Sequence, residues 1–531
     1  MGFRDNWAQA TPYLCFCVFT FACGDLIFGI DTSSFGSLQA LPSWLNTFGT
    51  LQDGKLVLTT YQKAICNSVV FIGRLVGTTT FEPVVERIGF KKLILIIACL
   101  QIIAIIVELT ARKWQVFTIG RVLAYMAVGY IENTVPTYSS EVAPPALRGF
   151  CSGLLTPVIT LSSVWGAGMC QAYAKETRKI GWMVPVGVQM IPATMILFLV
   201  PFTVESPRWL LARGHREQAI KNLKRLRPKK DVQAGLCEAE IEALENAIEY
   251  DKSINTGRWV DLFRGTYLRR TVFCGLLFWF YQTTGNSFYN AYGPSFFVSV
   301  GLGTKSFTYA TIVQLVGAIG SFIAIMITDI TGRRPLIITG AALLILWNCL
   351  IAGLGSSSVR TTTSNNMVVA SFILMLFSTK ISWATHCFLV GSELGGTRMR
   401  RKIIMVGTSV DVFSSWLVSF TTPYIMNKPY GGIGGKIGYV FGGMAAISLV
   451  FAILFVPELK GRGLEEVDEL FERRHWGWEY SSIKTSGYGA AIAQLENGKE
   501  VNAKDIALGL HKDDYADGKG EIEHVEGGGR R

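Results

Sequence analysis

The chain has 531 residues, half of them hydrophobic, and a mean hydropathy of +0.34. Its 50 lysine and arginine residues outnumber 39 aspartate and glutamate residues, so the formal net charge is +11. No basic and aromatic motif accompanies this charge, which argues against a nucleic-acid partner, and the composition indicates a polytopic membrane protein whose basic loops lie beside anionic lipid.

Apolar runs of about 20 residues, the length that crosses a hydrocarbon core, recur along the chain. The first run follows a short polar N-terminus and lacks an Ala-x-Ala cleavage site, so we expect a retained helix rather than a signal peptide. The pattern predicts an all-α membrane protein with twelve transmembrane helices, numbered here as spans 1 to 12. Their predicted bounds are 13–36, 59–82, 91–110, 114–137, 149–173, 183–202, 271–298, 307–328, 335–354, 367–393, 404–425 and 437–456.

A polar, charged stretch with short amphipathic helical patterns divides the spans into two groups of six. After residue 475 the chain loses apolar periodicity and gains Gly, Lys, Asp and Glu, which is typical of disorder. We predict a cytosolic N-terminus (1–12), an N-terminal six-helix bundle (13–202), cytosolic linker helices (203–270), a C-terminal six-helix bundle (271–456), a cytosolic amphipathic segment (457–475) and a disordered tail (476–531).

Loop signatures repeat in the two halves. Glu141 precedes Arg148 by seven residues, and the same spacing separates Glu393 from Arg400, 252 residues further on (393 − 141). Such co-ordered signatures indicate a duplicated chain, as in parallel-repeat transporters. We expect the loop charges to act as gating latches between helices at the cytosolic face, and the alternative is that they are solvated loop charges. The expected latch residues are Glu86, Arg87, Glu141, Arg148, Glu205, Arg208, Asp329, Arg333, Glu393, Arg400, Glu458 and Arg462.

The distribution of basic residues predicts the orientation of the chain. The short loops on the two sides hold equal numbers of Lys and Arg, so basic residues near the span ends in the central linker and after span 12 decide it. Because cytoplasmic loops are enriched in Lys and Arg, we expect both termini and the linker in the cytosol, with the plasma membrane as the location.

The cysteines predict no special chemistry. Most of the eleven fall inside apolar spans, and the close pair Cys15 and Cys17 has no second pair or histidine at zinc spacing. We therefore expect no metal, no cofactor and no disulfide framework.

Ionisable side chains inside a span are costly to bury, so each is a candidate for function. Asp31 lies about five residues from the outer end of span 1 and Arg121 about seven from that of span 4, which places both at a similar depth at about 1.5 Å per residue. We expect them to pair and to couple transport to a proton, since Asp31 would be protonated more easily when Arg121 moves away. The alternative is a structural salt bridge. Glu132 shares a helix face with Arg121, and Asp25 faces away from Asp31; structural roles are the alternative for both.

A second charge cluster is predicted nearer the inner face. It comprises Lys380 and His386 in span 10 and Asp411 in span 11. His386 and Asp411 each lie about seven residues from the inner ends of their spans, so we expect them to be able to pair. Histidine titrates near neutral pH, so this cluster would respond to pH. The alternative is that these side chains face wet crevices and have no part in coupling.

Several motifs resemble those of the sugar porter family of the major facilitator superfamily, especially fungal hexose and α-glucoside carriers. The resemblance covers nearly residues 13–475 and implies two six-helix bundles around a central cavity, with Asp31 and Arg121 as the proton-coupling pair. Because some members with this aspartate are facilitators, the residue permits symport without proving it. The motifs are Phe28-Gly-Ile-Asp31, Gly120-Arg121, Glu141-Val-Ala-Pro with Arg148-Gly149, Glu205-Ser-Pro-Arg208, Asp329 to Arg334 and Pro457-Glu-Leu-Lys-Gly-Arg462.

The chain departs from the family where the resemblance places the sugar. Thr156 replaces a span 5 glutamine, Gly317 a span 8 asparagine and Phe388 a span 10 tryptophan, while Asp411 occupies a span 11 amide position. We expect the truncated positions to widen the site and the carboxylate to change the ligand, with helix-packing polarity as the alternative. The residues expected to bind substrate are Thr156, Gln282, Asn286, Ser287, Tyr292, Phe388 and Asp411.

These observations predict a non-enzymatic carrier that moves a sugar or related polyhydroxylated solute by alternating access, with a proton. An oligosaccharide or glycoside is the leading substrate expectation and a hexose the second. A facilitator, a transporter-like nutrient sensor and an effluxer of a quinate-like or secondary metabolite remain alternatives. The expected partners are the solute, the proton and the lipid bilayer, and we expect a monomer.

Overall fold

The computed structural model describes residues 9–52, 54–144, 147, 151, 153–253, 259–299, 302–303, 305–356, 361–395, 399–428, 430–460, 471 and 477–479. Two expected latch residues, Arg148 and Arg462, lie outside these ranges, as does most of the expected tail. The side chains of Asp329 and Arg400 also lie outside the described part, although their backbones are helical.

Helical segments occupy the positions of all twelve predicted spans. Spans 2 and 6 each consist of two helices that follow one another directly, and spans 7 and 10 are each interrupted by a π-helical turn. The helices are Pro12–Leu38 (span 1), Thr60–Ser68 and Val70–Ile88 (span 2), Phe90–Leu109 (span 3), Trp114–Val142 (span 4), Leu155–Ala172 (span 5), Ile180–Gly187 and Met190–Leu199 (span 6), Gly265–Tyr281 and Ser287–Ser299 (span 7), Lys305–Thr331 (span 8), Arg333–Gly355 (span 9), Thr362–Thr379 and Thr385–Leu394 (span 10), Arg400–Met426 (span 11) and Ile437–Phe455 (span 12).

Among the described residues, nine of these spans are long and apolar enough to cross a membrane by length and composition alone. The other three are spans 4, 5 and 7. Span 4 contains the ionisable residues Arg121 and Glu132, and ionisable residues within a membrane helix face the protein interior or a cavity.

The connection between spans 1 and 2 contains structure that the hydropathy pattern does not predict. A short helix, Pro42–Phe48, is followed by an antiparallel hairpin of β1, Thr50–Gln52, and β2, Lys55–Val57. Trp44 of the helix packs in an aromatic cluster with Phe35, Phe117 and Trp182, at ring-centroid distances of 5.9, 4.4 and 5.7 Å. This cluster ties the connection to spans 1, 4 and 6.

Among its described residues, the linker between the two groups of six spans contains four short α-helices. They are Pro207–Ala212, Arg216–Leu226, Lys229–Gln233 and Leu236–Ser253. Trp209 donates from Nε1 to the carbonyl of Val85 at 2.9 Å, and the Arg227 guanidinium donates to the carbonyl of Val142 at 2.9 Å. The linker helices are therefore anchored to the C-terminal ends of spans 2 and 4, in the N-terminal half.

Glycines allow spans 2 and 4 to pack backbone against backbone. A Cβ atom at Gly73 or Gly77 would overlap the carbonyl oxygen of Val122 or Met126, and one at Gly129 would overlap the carbonyl of Arg74. Small residues permit such close approach between membrane helices. The contact holds Arg74 against the face of span 4.

The ends of the two bundles that the sequence predicts to be outer, called the outer ends below, touch each other. The side chain of Gln39, after span 1, donates to the carbonyl of Ala291 in span 7 at 2.5 Å, and the hydroxyl of Tyr292 in span 7 donates to the carbonyl of Lys63 in span 2 at 3.4 Å. Gly36 lies against the carbonyl of Asn290 with no room for a Cβ atom. The molecule is therefore closed at this end.

Replacing Gly36 with valine should open the outer ends. Overpacking costs about 1–3 kcal/mol, enough to shift the ratio of closed to open molecules about tenfold toward the open state. Spin labels at Tyr61 and Val298, on a background without the exposed native cysteines, should report longer distances in Gly36→Val than in the parent. Gly168→Val is the matched control because a Cβ atom at Gly168 meets nothing within 4 Å. Unchanged distances in Gly36→Val would show that this contact does not determine the closure.

Candidate functional site

The structure brings Asp31 and Arg121 together, as their equal depth predicts. Arg121 Nη2 lies 3.8 Å from Asp31 Oδ2, and each residue is 2% exposed. The guanidinium carbon of Arg121 lies 3.8 Å from the centroid of the Phe35 ring and 5.0 Å from that of Tyr125. At 3.8 Å the charges interact without a short hydrogen bond, and aromatic faces share the stabilisation of the cation.

A third charged residue at this place, Glu108 of span 3, was missed in the sequence. It is 1% exposed, and its Oε1 atom has no hydrogen-bond partner in the described structure. A Cβ atom at Gly120 would lie 2.6 Å from Cγ of Glu108, so the glycine beside Arg121 makes room for this carboxyl group. Glu108 is an ionisable residue inside predicted span 3, which is a signal for function. It lies near the end of that span, where a charged residue can reach the membrane surface, so the signal was weak.

A second ionic cluster, which we call the central triad, consists of Arg74, Glu132 and Asp411. Arg74 donates to both carboxylate oxygens of Glu132, from Nη2 at 2.8 Å and from Nε at 3.1 Å. Its Nη2 also donates to Asp411 Oδ2 at 2.8 Å. Arg74 and Glu132 belong to the N-terminal half and Asp411 to the C-terminal half, so the triad joins the halves.

Arg74 is the functional candidate that the sequence reasoning overlooked. It lies 14 residues from each end of span 2 (74 − 60 and 88 − 74), which is the middle of the membrane by helix length. An arginine at that depth is rare unless paired, so its position alone was the missed signal.

Polar side chains of span 7 are hydrogen-bonded to Asp411 of the triad and to one another. Gln282 donates from Nε2 to Asp411 Oδ1 at 2.7 Å, and its Oε1 accepts from Asn286 at 3.0 Å and from Ser287 at 2.7 Å. Gln282, Asn286 and Ser287 are at most 7% exposed. Three expected substrate residues therefore form one cluster with a fourth, Asp411.

The break in span 7 sets the direction of these amides. The π-helical turn spans Gln282–Asn286, and Gly285 within it has φ of 115°, a conformation that favours glycine. Single π-turns in membrane helices often occur at functional sites, because they redirect side chains without ending the helix. Here Asn286 and Ser287 converge on one oxygen of Gln282.

The other expected substrate residues lie apart from the amide cluster. Tyr292 lies at the outer closure, where its hydroxyl donates to the carbonyl of Lys63 at 3.4 Å, and Phe388 packs edge-on against Phe278 at 4.9 Å between ring centroids. Thr156 begins span 5, where its carbonyl accepts from Thr160 at 3.0 Å. Their contact with substrate stays a prediction.

The expected pairing of His386 with Asp411 is wrong. His386 Nε2 contacts the hydroxyl of Thr328 at 3.1 Å and its Nδ1 contacts the carbonyl of Ser382 at 2.5 Å, whereas Asp411 is held by Arg74 and Gln282. Equal depth does not determine the direction in which a side chain points from its helix. His386 in span 10 and Asp411 in span 11 do not point toward each other. Lys380 begins the π-helical turn of span 10, Lys380–Ala384.

The truncation at Gly317 does not leave open space. A Cβ atom there would lie 3.0 Å from Leu376 Cδ2 and 3.6 Å from Lys380 Cγ. The expectation that this position widens the site is wrong, because span 10 fills it.

Two expected latch residues have equivalent contacts in the two halves. Glu205 accepts from the backbone N–H groups of Phe90 and Lys91 at 3.0 and 3.1 Å, and Glu458 accepts from those of Arg333 and Arg334 at 3.1 and 3.0 Å. Each carboxylate therefore caps the N-terminus of the third span of its half, where free N–H groups attract anions. Burial raises the pKa of the Glu205 carboxyl group, and hydrogen bonds from backbone N–H groups oppose this rise.

The other latch contacts seen in the described part also lie within one half. Arg333 Nη2 lies 3.3 Å from Glu393, Ser206 donates to Glu141, and Arg213 donates to the carbonyl of Glu86. These contacts tie helices together inside a half. A gating role between the halves for the latch residues stays a prediction.

The chain is similar to known transporters in both sequence and fold. A family model described as sugar (and other) transporter matches residues 16–471. The low-affinity glucose transporter HXT4 of Saccharomyces cerevisiae is 27% identical over 522 residues, 95% of this chain and 87% of that protein. The major facilitator-type transporter ecdD of Aspergillus rugulosus is 27% identical over 467 residues, 85% of this chain and 86% of that protein.

Among solved structures, the xylose transporter XylE from E. coli in a partially occluded inward-open conformation has a TM-score of 0.71 at 21% identity, covering 85% of this chain and all of XylE. The proton:xylose symporter XylE bound to 6-bromo-6-deoxy-D-glucose has a TM-score of 0.69 at 22% identity, covering 87% of this chain and 99% of that one. The predicted fold of twelve spans in two six-helix bundles is thereby confirmed.

Proposed function

Since the chain belongs to the sugar transporter family of the major facilitator superfamily, we propose that it carries a sugar across a membrane by alternating access. The observation that carries this proposal is the buried cluster of Gln282, Asn286 and Ser287 at a break in span 7, which Asp411 links to Arg74 of the other half. Amides and hydroxyls that both donate and accept suit the hydroxyl groups of a sugar.

Proton coupling is the second part of the proposal. Asp31 and Arg121 lie buried in one bundle at 3.8 Å, a separation at which a change in bundle packing alters their interaction strongly. Asp31 would remain ionised while Arg121 is close and take up a proton as the pair separates. The structural neighbour XylE is a proton:xylose symporter, which supports this assignment by analogy of fold.

A monosaccharide is the better-supported substrate class. The space at Gly317 is filled, which removes one reason to expect an oligosaccharide, and the relatives include a glucose transporter and other hexose transporters. We propose that the protein is a monomer in the plasma membrane with both termini in the cytosol. The basic residues near the predicted inner span ends support this orientation.

Uptake assays test this function. We expect labelled D-glucose or D-xylose to enter transporter-deficient cells expressing the chain, with alkalinisation of a weakly buffered medium. Maltose and quinate serve as the oligosaccharide and acidic alternatives. Sugar entry without a pH change would indicate a facilitator, uptake of quinate alone would shift the substrate class, and no flux with any solute would contradict the proposal.

Replacing Gln282 with alanine should weaken sugar uptake at low concentration at least about tenfold, since lost hydrogen bonds leave Asn286, Ser287 and Asp411 with unpaired buried groups. The readout is the concentration dependence of initial uptake in cells with matched surface expression. Thr283→Ala is the control, because among the described residues the Thr283 hydroxyl bonds only to the carbonyl of Trp279 in its own helix. Equal uptake in Gln282→Ala and the parent would remove this glutamine from the site.

A further inference from the structure

The central triad has an uncompensated charge. Arg74 contributes one positive charge and is shared by two carboxylates, Glu132 and Asp411, at distances of 2.8 Å to each. With both carboxylates ionised the cluster carries a net charge of −1 inside the membrane, where an unbalanced charge is expensive. One proton on either carboxylate would bring the cluster to neutrality.

The geometry identifies Asp411 as the carboxylate that takes this proton. Glu132 accepts two hydrogen bonds from Arg74 in the bidentate arrangement that favours an ionised carboxylate, while Asp411 accepts only one from it. The second hydrogen bond to Asp411 comes from the neutral amide of Gln282. Asp411 is also fully buried, with an exposed fraction of 0%.

Other titratable groups around the triad do not compete for the proton near neutral pH. Tyr125 of span 4 faces Arg74, and Tyr281 of span 7 and Cys387 of span 10 face Asp411. Phenols and thiols are already protonated at that pH, and guanidinium stays charged. His386 contacts Thr328 and Ser382 instead, so Asp411 and Glu132 are the two acceptors among the described residues.

We propose that Asp411 is a second proton-binding site, distinct from Asp31, and that its protonation releases both the tie between the halves and the sugar-binding amide of Gln282. The inference rests on the proposed function for its sugar-binding part and on the triad alone for its proton-binding part. With Asp411 ionised, the bond to Arg74 resists separation of spans 2 and 11, and Gln282 is occupied as a donor. With Asp411 protonated, Arg74 keeps its bidentate partner Glu132, and the amide of Gln282 is available to a sugar hydroxyl.

The proton-binding part is tested without any sugar. Infrared spectra of the purified full chain, recorded between about pH 5 and about pH 8, should show a titrating carbonyl-stretch band of a protonated carboxylic acid. The measurement is made in an Asp31→Asn background, so that Asp31 does not contribute. We expect Asp411→Asn to remove the band and Ser414→Ala to retain it. Ser414 is the matched control because, in the part of the chain that the structure describes, its hydroxyl bonds only to carbonyls of its own helix. A band that survives in Asp411→Asn would overturn the proposal.

The coupling to sugar is tested by affinity in the same variants. Binding of D-glucose and D-xylose in the Asp31→Asn background should be about tenfold tighter at about pH 5 than at about pH 8, a typical size for coupling between two sites. The Asp411→Asn variant should bind with little pH dependence, and with the affinity that the background shows at low pH. A pH dependence unchanged by Asp411→Asn would overturn the coupling. Absence of sugar binding in every variant, with an Asp411-dependent infrared band, would instead contradict the proposed substrate and leave the proton site established.

Discussion

Arg74→Gln should lower the free energy of unfolding by about 3–5 kcal/mol, because removing one member of a buried ionic cluster leaves uncompensated charge behind. In this protein the remaining groups would be two carboxylates, Glu132 and Asp411, which are 6% and 0% exposed. The measurement is unfolding of the detergent-solubilised protein by denaturant or heat, followed by tryptophan fluorescence. We also expect loss of transport, since the halves lose the ionic contact at the substrate site.

Charge-neutral replacement of the whole cluster should restore much of this stability. In Arg74→Gln with Glu132→Gln and Asp411→Asn, no buried charge remains and the amides can bond to one another. Arg87→Gln is the matched control, since Arg87 lies exposed on the same helix and its loss should change stability by about 0.5 kcal/mol or less. Stability equal to the parent in Arg74→Gln would mean that the two carboxylates are already neutral or hydrated. A triple variant no more stable than Arg74→Gln would show that the arginine acts through packing.

Hydropathy predicted the spans well because the bilayer makes each helix satisfy its own backbone, so a span is a local property of the sequence. Predicted span 3, 91–110, corresponds to Phe90–Leu109, and predicted span 12, 437–456, to Ile437–Phe455. Structure outside the hydrocarbon core has no such local rule. The helix Pro42–Phe48 packs its aromatic side chains against spans 4 and 6, which no sequence window contains.

The site was predictable only in part, and the reason is geometric. Depth along a helix follows from counting residues, and it brought Asp31 and Arg121 together correctly. Contact also requires that two side chains face each other, which depends on how the helices are rotated and packed. For that reason the equal depth of His386 and Asp411 led to a wrong pair, and Asp411 found its partner in span 2 of the other half.

The duplicated loop signatures illustrate a third case, in which the sequence identified a repeat but not its contacts. Glu205 and Glu458 cap equivalent helices, and Gly89 and Gly332 have similar φ angles of 85° and 93° at those helix starts. A carboxylate that accepts backbone N–H groups needs no basic partner. The loop charges predict basic side chains as the partners of Glu205 and Glu458, whereas the donors are backbone N–H groups.

Asp31→Asn should abolish accumulation of sugar against a gradient while exchange across the membrane continues. A proton gradient of one pH unit supplies about 1.4 kcal/mol per proton, enough for about tenfold accumulation. Asparagine keeps the shape of the side chain but cannot bind a proton, so the variant should equilibrate sugar without concentrating it. Accumulation is measured in energised cells or vesicles, and exchange is measured as counterflow in vesicles without a pH gradient.

Asp25→Asn separates the loss of coupling from the loss of a buried carboxylate. Asp25 lies on the same helix as Asp31, is 1% exposed, and its Oδ1 has no hydrogen-bond partner within the described structure. It has the same chemistry without a contact to Arg121, so its asparagine variant should accumulate sugar as the parent does. If Asp31→Asn still concentrates sugar, the ion pair with Arg121 is structural. Coupling would then have to arise elsewhere. Asp411 of the central triad is the proposed proton acceptor for it, because it contacts both Arg74 of the other half and Gln282 of the proposed sugar site.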